Sequence, residues 1–420
     1  MNRKEYEIMA PAGSWESLSA AINAGADSIY FGVNQLNMRS RSSANFTLED
    51  FKNIVERCHA HQVKAYLTLN IAVYDNELEL LRQIINKAVE YKADAIIASD
   101  QAVLNLSAAR DIPIHISTQL NVSNIEAVKF YARFADVMVL ARELNLDQVA
   151  AIYRQIHEDQ ITGPSGNLVK IEMFSHGALC MSVSGKCYLS LHEYNYSANR
   201  GACLQTCRRA YEVKDKETGA ELAVENEYIM SPKDLKTIHF LNKMVDAGVK
   251  VFKLEGRARS PEYVHTVTSC YAEALQSVLE GTYSREKIHQ WDERLKRVFN
   301  RGFWDGYYLG QRLGEWSDVY GSKASTKKVY IGKVTNFFSK LHVAEVQCET
   351  GTLKLGDEVL FIGETTGVHE QGINEMRKER NNIEKVSRGD VFSLPVNDLV
   401  RRGDKVYKVV NVKPETKSFQ

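Results

Sequence analysis

The first 260 residues alternate short β-rich runs with amphipathic helical runs, and this alternation constrains the fold more than any other feature. The strand-like runs are short apolar stretches that end in small or polar residues. They lie at 7–13, 28–33, 64–70, 95–100, 113–119, 136–142, 170–178 and 251–256. Strand alternating with helix predicts a parallel sheet. Eight such units favour an α/β fold of the closed (β/α)8 TIM type, with an open doubly wound sheet as the alternative.

Local signals set the limits of several elements and domains. Ser14 is placed to cap a helix that starts at Trp15, and Thr47 to Asp50 has the spacing of a capping box. An insertion at about 179–248 separates the last two strands, and its polar stretch at 213–228 looks like a hairpin with its turn near Gly219.

The pattern changes after a small-residue linker at 321–326. Residues 262–313 read as helices that close the barrel, whereas period-two strands joined by Gly-Asp turns follow the linker. These strands predict a small C-terminal antiparallel β-barrel. We therefore expect a catalytic (β/α)8 domain at 1–320 and the β-barrel at 327–412.

Charge and hydropathy narrow the possible functions. Lys+Arg and Asp+Glu both total 53, which argues against a surface coated in basic charge but leaves a local basic face possible. The N-terminus lacks a signal-peptide pattern, and no apolar run approaches the ~18 residues that span a bilayer. We expect a cytoplasmic protein without membrane segments, in a compartment where disulfides are rare.

Four of the seven cysteines, Cys180, Cys187, Cys203 and Cys207, lie close together in the insertion. The other three stand alone in apolar or amphipathic segments and read as packing residues. A close pair joined to a more distant pair fits a four-thiolate site, which is either structural zinc or an iron–sulfur cluster. A nucleophilic cysteine is a third possibility, although it needs only one thiolate. The spacing leaves these readings open.

Basic residues flank the four cysteines. Lys186, Arg200, Arg208 and Arg209 lie near them in the sequence, against only Glu193. Such cations would offset the negative charge of a thiolate-ligated cluster, or would contact a phosphate backbone. This stretch is therefore the predicted basic face of the barrel.

Polar residues gather at the predicted carboxyl ends of the strands, where a (β/α)8 barrel places its reacting groups. The set is Asn70, Asp100, Ser117, Thr118, Gln119, Arg142, Glu143, His176, Glu255 and Arg257, and Glu172 lies inside the seventh strand. From it we select Arg142, Glu172, His176, Glu255 and Arg257 as candidate catalytic residues. The alternative is that Arg142, Glu172 and Glu255 form a structural ion network, because buried charges are costly unless paired or functional.

Arginine at two strand ends indicates an anionic guest. Guanidinium groups bind carboxylates and phosphates through two parallel hydrogen bonds. The sequence has no dinucleotide-binding glycine fingerprint, P-loop, HExxH or G-x-S-x-G motif, so nucleotide hydrolysis and serine hydrolase chemistry have no support.

The segment EMFSHGALCMSVSGKCYLS, at 172–190, resembles the signature of the collagenase-like peptidase family U32. The segments at 9–33 and 252–264 resemble the first two strands and the last strand of the same family. The resemblance runs from about residue 7 to 290. The residues after 325 resemble the C-terminal β-barrel of these proteins, which is itself similar to the second domain of elongation factor Tu.

Within that family, NRGACLQTCRRAY and YIMSPKDLK resemble the tRNA-hydroxylating members. The resemblance implies prephenate-dependent conversion of the wobble uridine of tRNA to 5-hydroxyuridine. It also implies a [4Fe–4S] cluster on Cys180, Cys187, Cys203 and Cys207. Other members hydroxylate ribosomal RNA or the ubiquinone ring, so hydroxylation is the broader expectation. Arg142 and Arg257 suit the carboxylates of prephenate, and a protein partner is possible.

Two other functions stay open at this point. One is a peptidase, the older label of the family, for which Cys180 with His176 as its base is a conceivable pair. The other is a zinc-stabilised RNA-binding protein without catalysis.

Overall fold

The computed structural model describes residues 2–34, 36–38, 40, 46–183, 185–212, 228–310, 314–319 and 321–412. The hairpin predicted near Gly219 lies outside these residues. The strands of the first part are β1 (Glu7–Pro11), β2 (Ser28–Phe31), β3 (Lys64–Leu69), β4 (Ala95–Ala98), β5 (Ile114–Ile116), β6 (Val137–Val139), β7 (Lys170–Gly177), β8 (Asp234–Lys236), β9 (Val249–Leu254) and β10 (Phe303–Trp304).

Strands β1 to β7 and β9 form a closed parallel barrel. Each of β1 to β6 pairs in parallel with the next strand along the chain. Strand β9 pairs in parallel with both β7 and β1, which closes the circle. The predicted (β/α)8 barrel is confirmed.

Helices surround this barrel, and most of them alternate with its strands. Their bounds are α1 (Trp15–Asn23), α2 (Asp50–Ala60), α3 (Leu78–Glu90), α4 (Gln101–Ala108), α5 (Ile125–Tyr131), α6 (Leu146–Glu158), α7 (Leu189–Tyr194), α8 (Leu241–Asp246), α9 (Pro261–Leu279) and α10 (Arg285–Arg297). None of the described helices is both long and apolar enough to cross a membrane.

The predicted helix starts have the expected hydrogen bonds. The backbone N–H of Ser17 donates to Ser14 Oγ at 3.2 Å, ahead of α1. Thr47 and Asp50 bond reciprocally, because the Thr47 N–H donates to the Asp50 carboxylate at 2.7 Å and the Asp50 N–H donates to Thr47 Oγ1 at 3.2 Å. These side chains satisfy backbone donors that the first turn of a helix leaves unpaired.

The insertion after β7 folds back over the end of the barrel. It contains α7 and then β8, which runs antiparallel to the last residues of β7. Strand β10 adds to β8 in parallel, so part of the segment predicted as helical at 262–313 is extended instead. Residues 303–304 take this conformation because the outer edge of β8 offers unpaired backbone groups.

The C-terminal part is antiparallel, as predicted. Its strands are β11 (Thr326–Phe338), β12 (Val343–Cys348), β13 (Thr352–Lys354), β14 (Glu358–Gly363), β15 (Gly367–Gly372), β16 (Arg377–Lys378), β17 (Asn381–Asn382), β18 (Lys385–Ser387), β19 (Val391–Pro395) and β20 (Lys405–Asn411). Alternate residues of β12 are buried in a core that is separate from that of the barrel. The division into 1–320 and 327–412 stays a prediction.

The C-terminal sheet packs against α1 and α9 of the barrel. Gly367, at the start of β15, approaches α1 so closely that a Cβ atom there would lie 2.8 Å from the backbone nitrogen of Ala20. Asn23 donates to the Thr366 carbonyl at 3.1 Å. Arg297, at the end of α10, reaches Glu358 at 2.7 Å and Glu370 at 2.6 Å.

Candidate active site at the carboxyl ends of the strands

A cavity of about 420 Å³ lies at the carboxyl ends of the barrel strands, below the insertion. Its polar lining comes from the ends of several strands, which the barrel brings together although they are far apart in the sequence. Those residues are Thr68, Asn70, Ser117, Thr118, Gln119, Arg142, Glu255 and Arg257. This is the end of a (β/α)8 barrel at which active sites lie.

All four clustered cysteines line this cavity. Cys180 is exposed, and Cys187, Cys203 and Cys207 are half-buried. Burial raises the pKa of the Cys207 thiol to about 11, with Arg208 acting against it and the other three thiols reinforcing it. The insertion thus carries four sulfur donors to the same wall of the site.

The donor set fits a thiolate-ligated cofactor in its chemistry. Among the described residues, no three His, Cys, Asp or Glu side chains are close enough to hold a single metal ion. A mononuclear zinc site needs its sulfurs about 2.3 Å from one point. A multinuclear iron–sulfur cluster is larger, so its ligands stand further apart around a common space. Four cysteines that line one cavity suit either group by donor type and number.

Basic side chains dominate the charge of the cavity. Among the described residues that line it, the basic ones are Arg142, Arg208, Lys253, Arg257, Arg259 and Arg301. Glu255 is the acidic member of the same described set. Two buried carboxylates, Glu172 and Asp234, lie behind the wall. The balance remains basic when both are included, so the cavity suits an anion.

Glu172 pairs with partners that the sequence analysis did not select. It is fully buried and receives Lys253 Nζ at 2.6 Å and His115 Nδ1 at 3.1 Å. Burial raises the pKa of Glu172, but Lys253 and His115 outweigh it and hold the pKa below its usual value. The suggested network of Arg142, Glu172 and Glu255 is therefore replaced by one of Glu172, Lys253 and His115. Lys253 also lines the cavity, so this network extends to the cavity wall.

Asp234 is the buried partner of a group of arginines. Arg301 Nη1 lies 3.4 Å from its Oδ1, and Arg259 Nη2 lies 3.9 Å from its Oδ2. Burial raises the pKa of Asp234, and Arg259, Arg301 and Arg208 act against that rise. The guanidiniums of Arg259 and Arg301 also lie over the Phe299 ring, at 3.7 and 5.1 Å from its centre. These contacts hold several positive charges around one carboxylate.

Arg257 and Arg142 both contact neutral groups. Arg257 Nη1 donates to Thr68 Oγ1 at 2.8 Å and to Asn37 Oδ1 at 3.1 Å. The Arg142 guanidinium lies 3.9 Å over the Phe174 ring and donates to the Ala178 carbonyl at 3.4 Å. Its buried Nε has no hydrogen-bond partner in the described part of the chain.

His176 is placed differently from the other candidates. It is buried and does not belong to the described lining of the cavity. Its Nδ1 lies 3.3 Å from the Tyr271 hydroxyl of α9, and burial lowers its pKa to about 3. The register between β7 and β9 shifts between Phe174 and His176. Simple alternation along the strand therefore does not predict the direction of this side chain.

The remaining predicted residues divide between the cavity and structural roles. Asp100 caps α4, accepting from the Ala102 N–H at 2.8 Å, and Glu143 lines a neighbouring cavity. Of the flanking cations, Arg200 is paired with Glu77 at 2.7 Å and Arg209 with Glu193 at 3.6 Å. The sequence signal that pointed to Glu172, a charge inside a buried strand, also applies to Lys253 and His115.

Comparison with known proteins identifies the family. Residues 13–318 match the family model described as peptidase family U32. The chain belongs to this family. A protein named collagenase from Porphyromonas gingivalis is 59% identical over 97% of this chain and 99% of its own length.

Other relatives carry RNA-modification names. The tRNA hydroxylation protein P1 of Bacillus subtilis is 30% identical over 86% of this chain and 84% of its own length. A 23S rRNA 5-hydroxycytidine synthase of Escherichia coli is 35% identical over 74% of this chain and 46% of its own length. An enzymatic role is thus common to the named relatives, which differ in their reaction.

Proposed function

We propose that this chain hydroxylates the wobble uridine of tRNA to 5-hydroxyuridine, with prephenate as a small anionic co-substrate. The observation that carries the proposal is a single cavity lined by four cysteines and mainly basic side chains. Relatives named for tRNA and rRNA hydroxylation support the reaction class. Both names specify the hydroxylation of RNA.

The four cysteines are the proposed ligands of a [4Fe–4S] cluster. Such a cluster, when bound, supplies electron transfer beside the reacting groups. Four thiolates introduce negative charge, and Arg208 lies next to Cys207 in the sequence and on the same cavity. Zinc on the same four thiolates is the alternative cofactor.

Arg142 and Arg257 are the proposed binding groups for the two carboxylates of prephenate. Thr68 and Asn37 fix Arg257, and the Phe174 ring supports Arg142, so neither guanidinium must be ordered when the anion binds. Tyr30 and Phe174 also line the cavity and offer apolar faces to the carbon ring. Glu255, held by the Ala178 N–H at 3.3 Å, is the proposed group for proton transfer on this wall.

The decisive experiment is the nucleoside content of tRNA. Mass spectrometry should show that a deletion strain lacks hydroxyuridine-derived nucleosides and that the wild-type gene restores them. Unchanged nucleosides, in a strain without a redundant pathway, would refute the tRNA assignment. Anaerobic purification tests the cofactor, because iron with acid-labile sulfide supports the cluster whereas stoichiometric zinc excludes it. A tRNA substrate would also imply a cytoplasmic location.

Peptidase activity is the second candidate, because the 59% identical relative is named collagenase. The geometry gives it less support, since His176 is bonded to Tyr271 inside the barrel wall rather than placed on the cavity. Cleavage of denatured collagen that is lost in Cys180→Ser, with unchanged tRNA nucleosides, would replace the hydroxylase proposal. Stoichiometric zinc with neither activity would indicate a non-catalytic RNA-binding protein.

A further inference from the structure

A second cavity, of about 270 Å³, adjoins the first. The two have part of their described lining in common, namely Thr118, Arg142, Leu179, Cys180, Met181 and Ser182. Cys180 and Arg142 therefore face both spaces. A molecule in the second cavity would lie next to the thiols and the basic groups of the first.

The walls of the second cavity are aromatic. Trp304, Tyr307 and Trp316 line it together with Gly314. A Cβ atom on Gly314 would lie 3.6 Å from the side chains of Trp304 and Tyr307 and 3.7 Å from that of Trp316, so the three side chains converge on this glycine. The Trp304 and Tyr307 rings meet edge to face, with centroids 5.3 Å apart. This lining suits a flat, ring-shaped guest.

Trp316 is held in place by its backbone and keeps its ring partly exposed. The Lys233 N–H donates to the Glu315 carbonyl at 3.0 Å, and the Ser317 N–H donates to the Ser231 carbonyl at 2.7 Å. These bonds fix the segment on both sides of Trp316, which remains 36% exposed. An exposed, positioned indole at a cavity wall is a surface on which a base stacks.

Polar groups complete the second cavity. Asn121 and Glu143 line it, and the shared Arg142 has a buried Nε without a partner among the described residues. The edge of uracil presents an N–H donor between two carbonyl acceptors. A carboxylate can accept from that N–H while amide and guanidinium groups donate to the carbonyls.

We propose that the second cavity binds the unpaired uracil base of the RNA substrate, stacked on Trp316, while the first cavity holds the co-substrate and the thiolate-ligated cofactor. This inference rests on the proposed function and assigns the base its own site. Single-stranded RNA is recognised by stacking of splayed bases on aromatic side chains together with hydrogen bonds to their edges. The shared wall places the base beside Cys180 and Arg142.

The test compares two RNA hairpins with the sequence of an anticodon stem-loop. One has uridine at the wobble position, and the other has an abasic ribose there. Phosphate contacts are common to both hairpins, so at fixed salt the ratio of their dissociation constants measures the contribution of the base to binding. The purified holoprotein should prefer the uridine hairpin by about tenfold, which is typical of one stacked base.

Trp316→Ala should reduce this ratio to near one, because only the binding of the uridine hairpin is weakened. Trp316→Phe should retain most of the preference for the uridine hairpin. Phe130→Ala is the control, because Phe130 is a 52% exposed aromatic side chain on α5 that does not belong to the described lining of either cavity. A wild-type ratio in Trp316→Ala, or an equal loss for both hairpins, would overturn the base site and leave the RNA function standing. If the wild-type protein binds neither hairpin, the RNA function fails and the base site with it.

Discussion

The cavity at the barrel rim and the group of Arg297, Glu358 and Glu370, where the barrel meets the C-terminal sheet, differ in their balance of charged side chains. At the rim, basic groups outnumber acids within the described lining. At the contact, Arg297 lies between two carboxylates, at 2.7 Å from Glu358 and 2.6 Å from Glu370. The described lining of the first carries an excess of positive charge, whereas the group of Arg297, Glu358 and Glu370 has one more acid than base.

The excess charge is neutralised in a different way in each region. Burial and the neighbouring Glu358 raise the pKa of Glu370 to about 7, so a proton relieves the repulsion at the contact. An arginine does not lose its proton in the same way, because the guanidinium group stays charged in proteins. The excess at the rim is therefore balanced by thiolates of the cysteines that line the cavity or by an anion bound in it. This difference is why we interpret the rim as a binding site and the contact as a structural feature.

The largest expected effect tests the proposed thiolate-ligated cluster at the rim. Cys203→Ser should lower hydroxyuridine-derived nucleosides in tRNA to the level of the deletion strain and should reduce bound iron, because one of four thiolates is lost. Mass spectrometry and iron analysis measure both. Cys348→Ala, at a buried cysteine of the C-terminal sheet, is the matched control and should keep its iron. Full activity in Cys203→Ser would contradict the proposed cluster.

The second prediction concerns Glu172, the buried acid that pairs with Lys253 of the cavity lining. Glu172→Gln leaves the buried Lys253 without its carboxylate, and we expect the free energy of unfolding to fall by about 3–5 kcal/mol. Urea denaturation measures the change. Adding Lys253→Met should recover most of it, because both charges are then removed. If the free energy of unfolding falls by less than about 1 kcal/mol, the pairing of Glu172 with Lys253 does not stabilise the barrel as we expect.

The third prediction separates the arginines of the two regions. Arg142→Ala should raise KM for prephenate by about tenfold to a hundredfold, since a charge-assisted hydrogen bond is worth about 1.5–3 kcal/mol. Arg297→Ala removes the same charge at the contact and should leave this KM unchanged. Steady-state kinetics on a tRNA substrate provide the comparison. Equal effects of the two variants would remove the distinction between the regions.

The smallest expected effect tests the proton at the contact. The pKa of Glu370 is raised in the folded state from an ordinary value of 4.5 to about 7, so the folded protein binds the proton more tightly. Its contribution to stability is fully present below about pH 4.5 and is lost as the pH rises to about 7. Glu370→Gln mimics the protonated form, so its melting temperature should exceed that of the wild type at pH 8, by about 1–2 °C, and match it near pH 4.5.

The exposed Glu384 supplies a control for this pH dependence, because Glu384→Gln should change the melting temperature little at either pH. A difference between Glu370→Gln and the wild type that is the same at both pH values would refute the shared proton.

Much of the fold was predictable because its signals are local. A short apolar run followed by an amphipathic helix is encoded in neighbouring residues, and so are the caps at Ser14 and Thr47. The candidate site was predictable in part, because the carboxyl ends of parallel strands meet at one end of a barrel. That rule places Arg142, Glu255, Arg257 and the insertion with its cysteines around one cavity.

The pairing of charges was not predictable in the same way. Glu172 meets Lys253 across 81 positions of sequence and His115 across 57, and Arg301 reaches Asp234 across 67. His176 was expected at the site by strand position, but a register shift places it against α9. Such outcomes depend on which strands become neighbours when the barrel closes.

Local residue patterns were enough to predict the alternation of strands and helices, the family, and the thiol and guanidinium groups of the site. The folded structure was needed to show which of those groups share a cavity, which acids pair with which bases, and where basic groups outnumber acids. The physical reason is the range of the interactions. Backbone preference is set by residues a few positions apart, whereas burial and ion pairing are set by segments that the closed barrel brings into contact.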